Sequence, residues 1–410
     1  MQALSRLFTL VLALVLAQPV LAKQPSPVIL ISLDGFRADY LDRGITPNLS
    51  RLAASGQRAA MRPSFPSKTF PNHWTLVTGL RPDEHGITAN RIEDPARPGE
   101  VFTMASDDPF WWNAAPPIWV GAEKAGIRTA TMFWPGSNVG WGGVRERKNG
   151  PVKDATRPQD WVQYNEEVSA EQRVNTVLDW LRRPRAIRPQ LVTTYFEGVD
   201  TAGHTFGPED PRTNEAIAEV DKAIGALLSG VKALGLQVNL VIVADHGMSA
   251  ISPERIVPAD SLADPALYRL IENGSFASFV PTPGNEEKLA AALLRPREHV
   301  ECWRRDQIPE RLHYGRNPRV TPFLCLAEPG WMIPATKDTA SKDGGAHGFD
   351  NAAPDMAALF LAAGPAFRKG GRLPPFDNIA VEPLLRHLLR MPLRPGSEQA
   401  LTPFKESFAK

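Results

Sequence analysis

Three carboxylates, three imidazoles and one hydroxyl stand out by where they fall in the chain. Asp34 follows the apolar run Val28–Leu33. Asp200 and His204 lie four apart in EGVDTAGH, Asp245 and His246 close the apolar run Val238–Ala244, and His347 sits among small residues in GGAHG. Thr69 lies in FPSKTFPNHWTLVTG, residues Phe65–Gly79. Carboxylate and imidazole donors without thiolate suit zinc, among divalent metals. Asp34, Asp245 and His246 with the Thr69 hydroxyl make one tetrahedral set. Asp200, His204 and His347 make a second, with one position open. Two metals about 4 Å apart suit in-line displacement at phosphorus. Thr69 would act as an alkoxide and form a covalent phospho-threonine, which metal-activated water then releases. Asn90 and the backbone N–H near Phe70 would bind the remaining oxygen.

Each of these residues also has an ordinary role open to it. Pro71 suits the first turn of a helix that Gly79 ends, which puts Thr69 at the positive helix end. That end attracts phosphate, but a threonine there is more often only an N-cap. Asn90 could merely stabilise a turn. An Asp-His pair is commonly a solvated turn. Here the strand before it is wholly apolar and breaks abruptly into ligand chemistry, which favours a site. His299, His313 and His387 lack such settings and read as surface or satisfied core residues.

The elements that must carry these residues can be read from apolar patterning. Val28–Leu33, Arg128–Trp134, Leu191–Phe196, Val238–Ala244 and Met356–Ala362 read as strands. Continuous rather than alternating apolarity points to burial on both faces, as in a parallel sheet, where ligands bind at carboxyl ends. Helices are expected over Thr46–Gly56, with Thr46 as cap, Ala115–Ala125, Glu171–Leu181, Asp210 to about Leu234, and Ile379–Leu389. Residues 81–90 read as irregular, and about 136–158 as an insertion-like excursion, either a loop over the site or a small insertion. The spacing of Asp200 and His204 puts both on one side of a helical turn, and Gly203 would let a metal approach.

The 410 residues carry 46 basic and 45 acidic side chains, a net charge of +1. That gives no basic surface for a nucleic-acid polymer or an anionic membrane. Residues 1–22 hold Arg6 as their only charge, then a ten-residue apolar run, too short to span a bilayer; they read as a secretory signal peptide. The rest, 23–410, reads as a single catalytic domain in a periplasmic or secreted protein. Export makes Cys302 and Cys325 candidates for a bridge rather than two free thiols.

ISLDGFRADY, TPNLSRLAASG, FPSKTFPNHWTLVTGLRPDEHGI with Asn90 following, FWPGS, YFEGVDTAGHTFGP, VIVADHGM and AHGFDN run in one order over nearly all of residues 28–365. This ordered set resembles the nucleotide pyrophosphatase/phosphodiesterase family of the alkaline phosphatase superfamily, in the form of a compact bacterial member. The resemblance implies an α/β fold: an alkaline phosphatase-like core, a mostly parallel sheet with helices on both faces, and loop insertions. It implies Thr69 as nucleophile, one zinc on Asp34, Asp245 and His246, and a second on Asp200, His204 and His347. It further implies that Asn90 contacts the phosphoryl oxygen, and that Phe70 and Tyr164 stack on a nucleobase of a small nucleotide substrate, with nucleoside 5′-monophosphate as product. Two positions depart from the family pattern: Val199 stands where a proline is usual, and Glu93 where a tyrosine is usual. Rival readings are a lipid- or choline-type phosphodiesterase, a phosphomonoesterase, for which no extra cation is evident, and a non-catalytic zinc protein, which needs neither Thr69 nor Asn90.

Overall fold

The computed structural model describes residues 25–147, 150–339 and 342–409. The expected leader, residues 1–22, lies outside them. The chain begins with β1 (Val28–Leu33), α1 (Pro47–Ser55), β2 (Gln57–Arg62), α2 (Thr69–Thr78), α3 (Ile118–Lys124), β3 (Thr129–Met132) and β4 (Asp160–Val162). It continues through α4 (Ala170–Arg182), β5 (Leu191–Phe196), α5 (Gly198–Phe206), α6 (Pro211–Ala233), β6 (Asn239–Val243) and β7 (Ser249–Ile251). Next come β8 (Tyr268–Glu272), β9 (Phe276–Pro281), β10 (Val300–Arg304), β11 (Phe323–Ala327), β12 (Gly344–Ala346), β13 (Ala358–Ala363), β14 (Gly371–Arg372), β15 (Phe376–Asp377) and α7 (Val381–Leu388).

The central sheet has nine strands in the order β14-β2-β13-β6-β1-β5-β3-β4, with β15 also on β2. It is parallel except for β13, which runs antiparallel to both β6 and β2. β1, β5, β6 and β13 are buried at every residue. Continuous apolarity therefore reported burial on both faces, while the reversed direction of β13 left no mark on composition. α1, α4 and α5 pack on α6, and α2 and α3 pack on α7, so helices cover both faces.

Local chemistry explains the element ends, with corrections. Asp210 caps α6 by accepting the Arg212 N–H at 2.8 Å, and Gly79 ends α2 in the left-handed conformation, φ 60°. Thr46 makes no capping bond through its side chain. The buried Asp221 of α6 reaches across instead and accepts the Asn48 and Leu49 N–H groups at 3.1 and 2.8 Å. A carboxylate from a packed neighbour satisfies orphan donors as well as a local hydroxyl does. Thr69 is not a cap either: Lys68 holds that position and Thr69 is the first helical residue.

A second, four-stranded antiparallel sheet, β8-β9-β11-β10, occupies the stretch whose sequence was least informative. It has its own buried cluster, including Phe279, Leu289, Phe323 and Phe349. A disulfide joins Cys302 and Cys325, which face each other across β10 and β11. Among the described residues no helix is long and apolar enough to cross a membrane.

Candidate active site

Three neighbouring parallel strands, β6, β1 and β5, end together. Ser32 on β1 is level with Val243 on β6 and Tyr195 on β5. Strands lie about 4.8 Å apart, so the first residues beyond their ends are forced into one small volume. Asp34 follows β1 directly, Asp245 lies two residues past the end of β6, and Asp200 rides on the first turn of α5 after β5. His246 follows Asp245. The chain then forms β7, which pairs with β12 and thereby delivers His347. The His246 and His347 rings stack at 3.5 Å between centroids, 11° from parallel.

The close pairing of β12 with α5 explains the glycines around His347. A Cβ on Gly344 would lie 2.3 Å from the His204 carbonyl oxygen. Gly203 has a packing role as well: a Cβ there would meet the Met248 side chain at 3.0 Å.

The tautomers of all three histidines follow from geometry. Nδ1 of His204 lies 2.8 Å from the Gly345 carbonyl, that of His246 2.9 Å from the Gly247 carbonyl, and that of His347 2.7 Å from the Ser67 carbonyl. Carbonyl oxygens only accept, so each Nδ1 carries the proton and each Nε2 presents a lone pair. His246 Nε2 lies 2.9 Å from Asp245 Oδ2 and 3.5 Å from Asp34 Oδ1. His204 Nε2 and His347 Nε2 lie 3.5 and 3.8 Å from the two oxygens of Asp200. Asp34 Oδ1, Asp200 Oδ1 and Asp245 Oδ2 are buried and accept no hydrogen bond. Buried acceptors without donors are costly unless a cation serves them.

Two overlapping ligand groups result, Asp34–Asp245–His246 and Asp200–His246–His347, each with its ligand atoms within 4.8 Å of one another. His246 belongs to both. His204 lies outside these groups; its side chain is 42% exposed. The residues fit divalent metal: the chemistry is carboxylate and imidazole, the lone pairs converge, and three acids share one pocket.

The electrostatics have the same cause. Burial, then the charges of Asp245 and Asp200, push the Asp34 carboxyl well above its ordinary range. Burial likewise raises Asp200. Burial opposes ionisation of Asp245, but His246 and His73 outweigh it and hold that carboxyl well below the usual value. Burial first, with the Lys68 charge acting the same way, keeps His347 well below the usual imidazole value.

Thr69 Oγ1 lies 3.3 Å from His246 Nε2, at the first turn of α2. Asn72 fixes the approach to that turn: its Oδ1 accepts the Ser64 N–H, and its Nδ2 donates to the Pro66 and Lys68 carbonyls. Asn90 Oδ1 accepts the Phe70 N–H at 3.1 Å. That bond orients the amide and leaves its N–H groups for an oxyanion, while engaging the Phe70 N–H that sequence reasoning had assigned to the same oxygen. Residues 81–90 contain one helical turn, Pro82–His85. Arg319 pins this loop, donating to Asp94 Oδ2 at 2.6 Å and to the Gly86, Phe110 and Trp111 carbonyls.

Phe70 leans on Phe102 and Trp112, with centroids 6.2 and 5.9 Å away. Tyr164 is 48% exposed and packs edge-on against Phe133 and Tyr195. His299 stacks on Trp331, His313 ends a short helical turn, and His387 packs on Phe408, all apart from the ligand groups.

Sequence reasoning missed two supporting residues. Tyr195 donates its hydroxyl to Asp34 Oδ2 at 2.6 Å. His73, fully buried, carries its proton on Nδ1 toward the Thr69 carbonyl, 2.9 Å, with Asp245 Oδ2 at 3.4 Å; its Nε2 accepts from Ser32 at 2.8 Å. The i, i+4 spacing of Thr69 and His73 was the available signal.

A mostly parallel sheet whose adjacent strand ends set acids and imidazoles around a helix-start hydroxyl defines an alkaline phosphatase-like, metal-dependent hydrolase. Residues 28–350 match the model of the family described as type I phosphodiesterase / nucleotide pyrophosphatase, and the chain belongs to that family. It is 37% identical to the bis(5′-adenosyl)-triphosphatase enpp4 of Xenopus laevis over 90% of this chain and 79% of that protein. It is 35% identical to human ectonucleotide pyrophosphatase/phosphodiesterase family member 5 over 90% and 75%. Among solved structures, an inactive threonine-to-alanine form of murine ectonucleotide pyrophosphatase/phosphodiesterase 5 in complex with AMP superposes with a TM-score of 0.86. It is 33% identical, over 94% of this chain and all of that one. The protein is a nucleotide pyrophosphatase/phosphodiesterase hydrolase.

Proposed function

We propose that this is a secreted two-zinc enzyme that hydrolyses nucleotide phosphodiester or phosphoanhydride bonds to nucleoside 5′-monophosphates through a phospho-threonine at Thr69. The observation that carries the reading is the convergence of Nε2 lone pairs on buried carboxylate oxygens that accept no hydrogen bond, with the Thr69 hydroxyl 3.3 Å from one of those nitrogens. Asp34, Asp245 and His246 with Thr69 would hold one ion, and Asp200, His204 and His347 the other. The bound ions would lower the pKa of the hydroxyl and of water and offset charge on the phosphoryl group. Thr69 attacks phosphorus, the bond to the leaving group breaks, and water then cleaves the phospho-threonine. Asn90 donates its amide N–H to a phosphoryl oxygen, and Phe70, backed by Trp112, offers a face to the base, with Tyr164 opposite. The relatives named for AMP and for a dinucleoside triphosphate support a nucleotide substrate.

The test compares kcat/KM for the nitrophenyl ester of a nucleoside 5′-phosphate with that for nitrophenyl phosphate on one zinc-loaded sample. Strong preference for the diester supports the reading; preference for the monoester overturns it. N-terminal sequencing of the exported protein, expected to start near Lys23, tests the leader.

A further inference from the structure

The connection from β10 to β11, residues 305–322, reaches out of the second sheet and holds the segment that carries Asn90. The strands on either side of it are joined by the Cys302–Cys325 disulfide. The Asp83 carboxylate accepts the Gly315, Arg316 and Asn317 N–H groups at 3.0, 2.7 and 3.3 Å. Tyr314 donates its hydroxyl to the Thr88 carbonyl at 3.0 Å. The Tyr314 ring packs edge-on against Phe65, at the start of the stretch that bears Thr69.

Within this connection, Arg319 does more than hold one loop. Its Nε donates to Asp94 Oδ2 at 2.6 Å and its Nη1 to the Gly86 carbonyl at 2.8 Å. Gly86 and Asp94 stand four residues before and four residues after Asn90. The same Nη1 donates to the Trp111 carbonyl at 2.7 Å, and Nη2 to the Phe110 carbonyl at 3.2 Å. The guanidinium also lies over the Phe110 and Trp111 rings, 5.3 and 5.2 Å from their centroids. Trp111 packs on Phe102 at 5.8 Å between centroids, and Phe70 leans on Phe102 and on Trp112. One planar cation, 8% exposed, therefore ties both flanks of Asn90 to the aromatic wall behind Phe70. There is little slack: Gly86 is left-handed, φ 80°, and a Cβ there would lie 3.0 Å from Nη1. A lysine ammonium lacks the rigid fork that serves acceptors in these directions.

We propose that Arg319 is a positioning residue that sets the amide of Asn90 and the base-facing surface of Phe70 as one unit, so that turnover and nucleobase affinity depend on the same buried cation. The inference rests on the roles proposed above for Asn90 and Phe70. A buried guanidinium is tolerated only when it is paired and fully bonded, and the acceptors that satisfy this one come from two separate segments. Removing it releases both at once.

The experiment compares zinc-loaded wild type, Arg319→Met and Arg319→Lys on the nitrophenyl ester of a nucleoside 5′-phosphate and on methyl nitrophenyl phosphate, a diester without a base. Rates are taken per mole of folded, fully metallated protein. Arg319→Met should lower kcat by about 10-fold on both diesters, through Asn90. It should raise KM by about 3- to 10-fold on the nucleotide ester alone, through Phe70. Arg319→Lys should show the same split in weaker form, and it carries the test if Arg319→Met does not fold. Non-additivity is the second readout. In an Asn90→Ala background the substitution should no longer lower kcat, and in a Phe70→Ala background it should no longer raise KM for the nucleotide ester. A purely structural role would lower thermal midpoints and leave the kinetics per folded molecule unchanged, which would overturn the proposal. Additive losses in both backgrounds, or coupling to only one of the two residues, would overturn it as well. Calorimetric binding of a nucleoside 5′-monophosphate and of inorganic phosphate needs no turnover. If the wild type cleaves neither diester, the hydrolase reading fails alone, and a preference for the nucleotide that falls in Arg319→Met but not on adding Arg319→Met to Phe70→Ala still supports the clamp.

Discussion

The two walls of the site are built differently. The metal-facing wall comes from three adjacent strand ends and from β12, and Asp34, Asp245, His246 and His347 in it are all buried. Most of these side chains are fixed through the polar atom turned away from the ligand cluster: Asp34 by Tyr195, Asp245 by the Gly35 N–H, and each imidazole by a backbone carbonyl on its Nδ1. The wall proposed to face substrate comes from loops and helix starts. Phe70, Asn90 and Lys68 are only partly buried, and Tyr164 is exposed. The first wall is over-determined because crowded like charges hold still only when their surroundings fix them. The second can be changed residue by residue without disturbing the sheet, and so it is where substrate preference would be set.

The contrast can be broken in order of effect. Thr69→Ala should cut turnover by at least about 10³-fold, as loss of a covalent nucleophile does, with metal content unchanged on elemental analysis. Retained turnover would remove Thr69 from the mechanism. Tyr195→Phe leaves every metal-facing atom in place but frees Asp34. Chelator competition should show metal affinity down by about 10-fold, as for other residues that orient ligands; unchanged affinity would mean that wall is less over-determined than its hydrogen bonds suggest. On the other wall, Phe70→Ala should raise KM for the nitrophenyl nucleotide ester by up to about 10-fold, the scale of an aromatic contact, and leave metal affinity alone. A shift in metal affinity would show that the two walls are not separable.

The smallest effect lies behind both walls. Burial pushes His85 down to about 3, and its ring bonds Thr75, the Pro71 carbonyl and the Ile87 N–H. Between about 3 and the unfolded value near 6.5, the unfolded chain binds a proton that the folded chain refuses. Stability from neutral His85 is therefore complete above pH 6.5 and falls with decreasing pH, by up to about 1.4 kcal/mol per unit. Thermal midpoints of metal-free wild type should drop between pH 7 and pH 5, and His85→Gln should flatten the slope. Parallel slopes would assign the acid sensitivity to the ligand cluster.

Much of this molecule was legible in one dimension. Strands Val28–Leu33, Leu191–Phe196 and Val238–Ala244 announce themselves because a strand buried on both faces must be apolar throughout, and the ligand residues announce themselves because they break that rule at the strand ends. Asp200, four residues before His204, was readable for the same kind of local reason. Other features had no local signature. Asp221 capping a helix more than 170 positions away, the antiparallel run of β13, the sharing of His246 by two ligand groups, and the bonds from Arg319 to Gly86 and Asp94 all join segments distant in sequence. Local sequence determined which residues bear the chemistry, because burial and backbone conformation act on neighbours. Only the tertiary structure decided which of them face one another, because strand order and long-range packing set those distances.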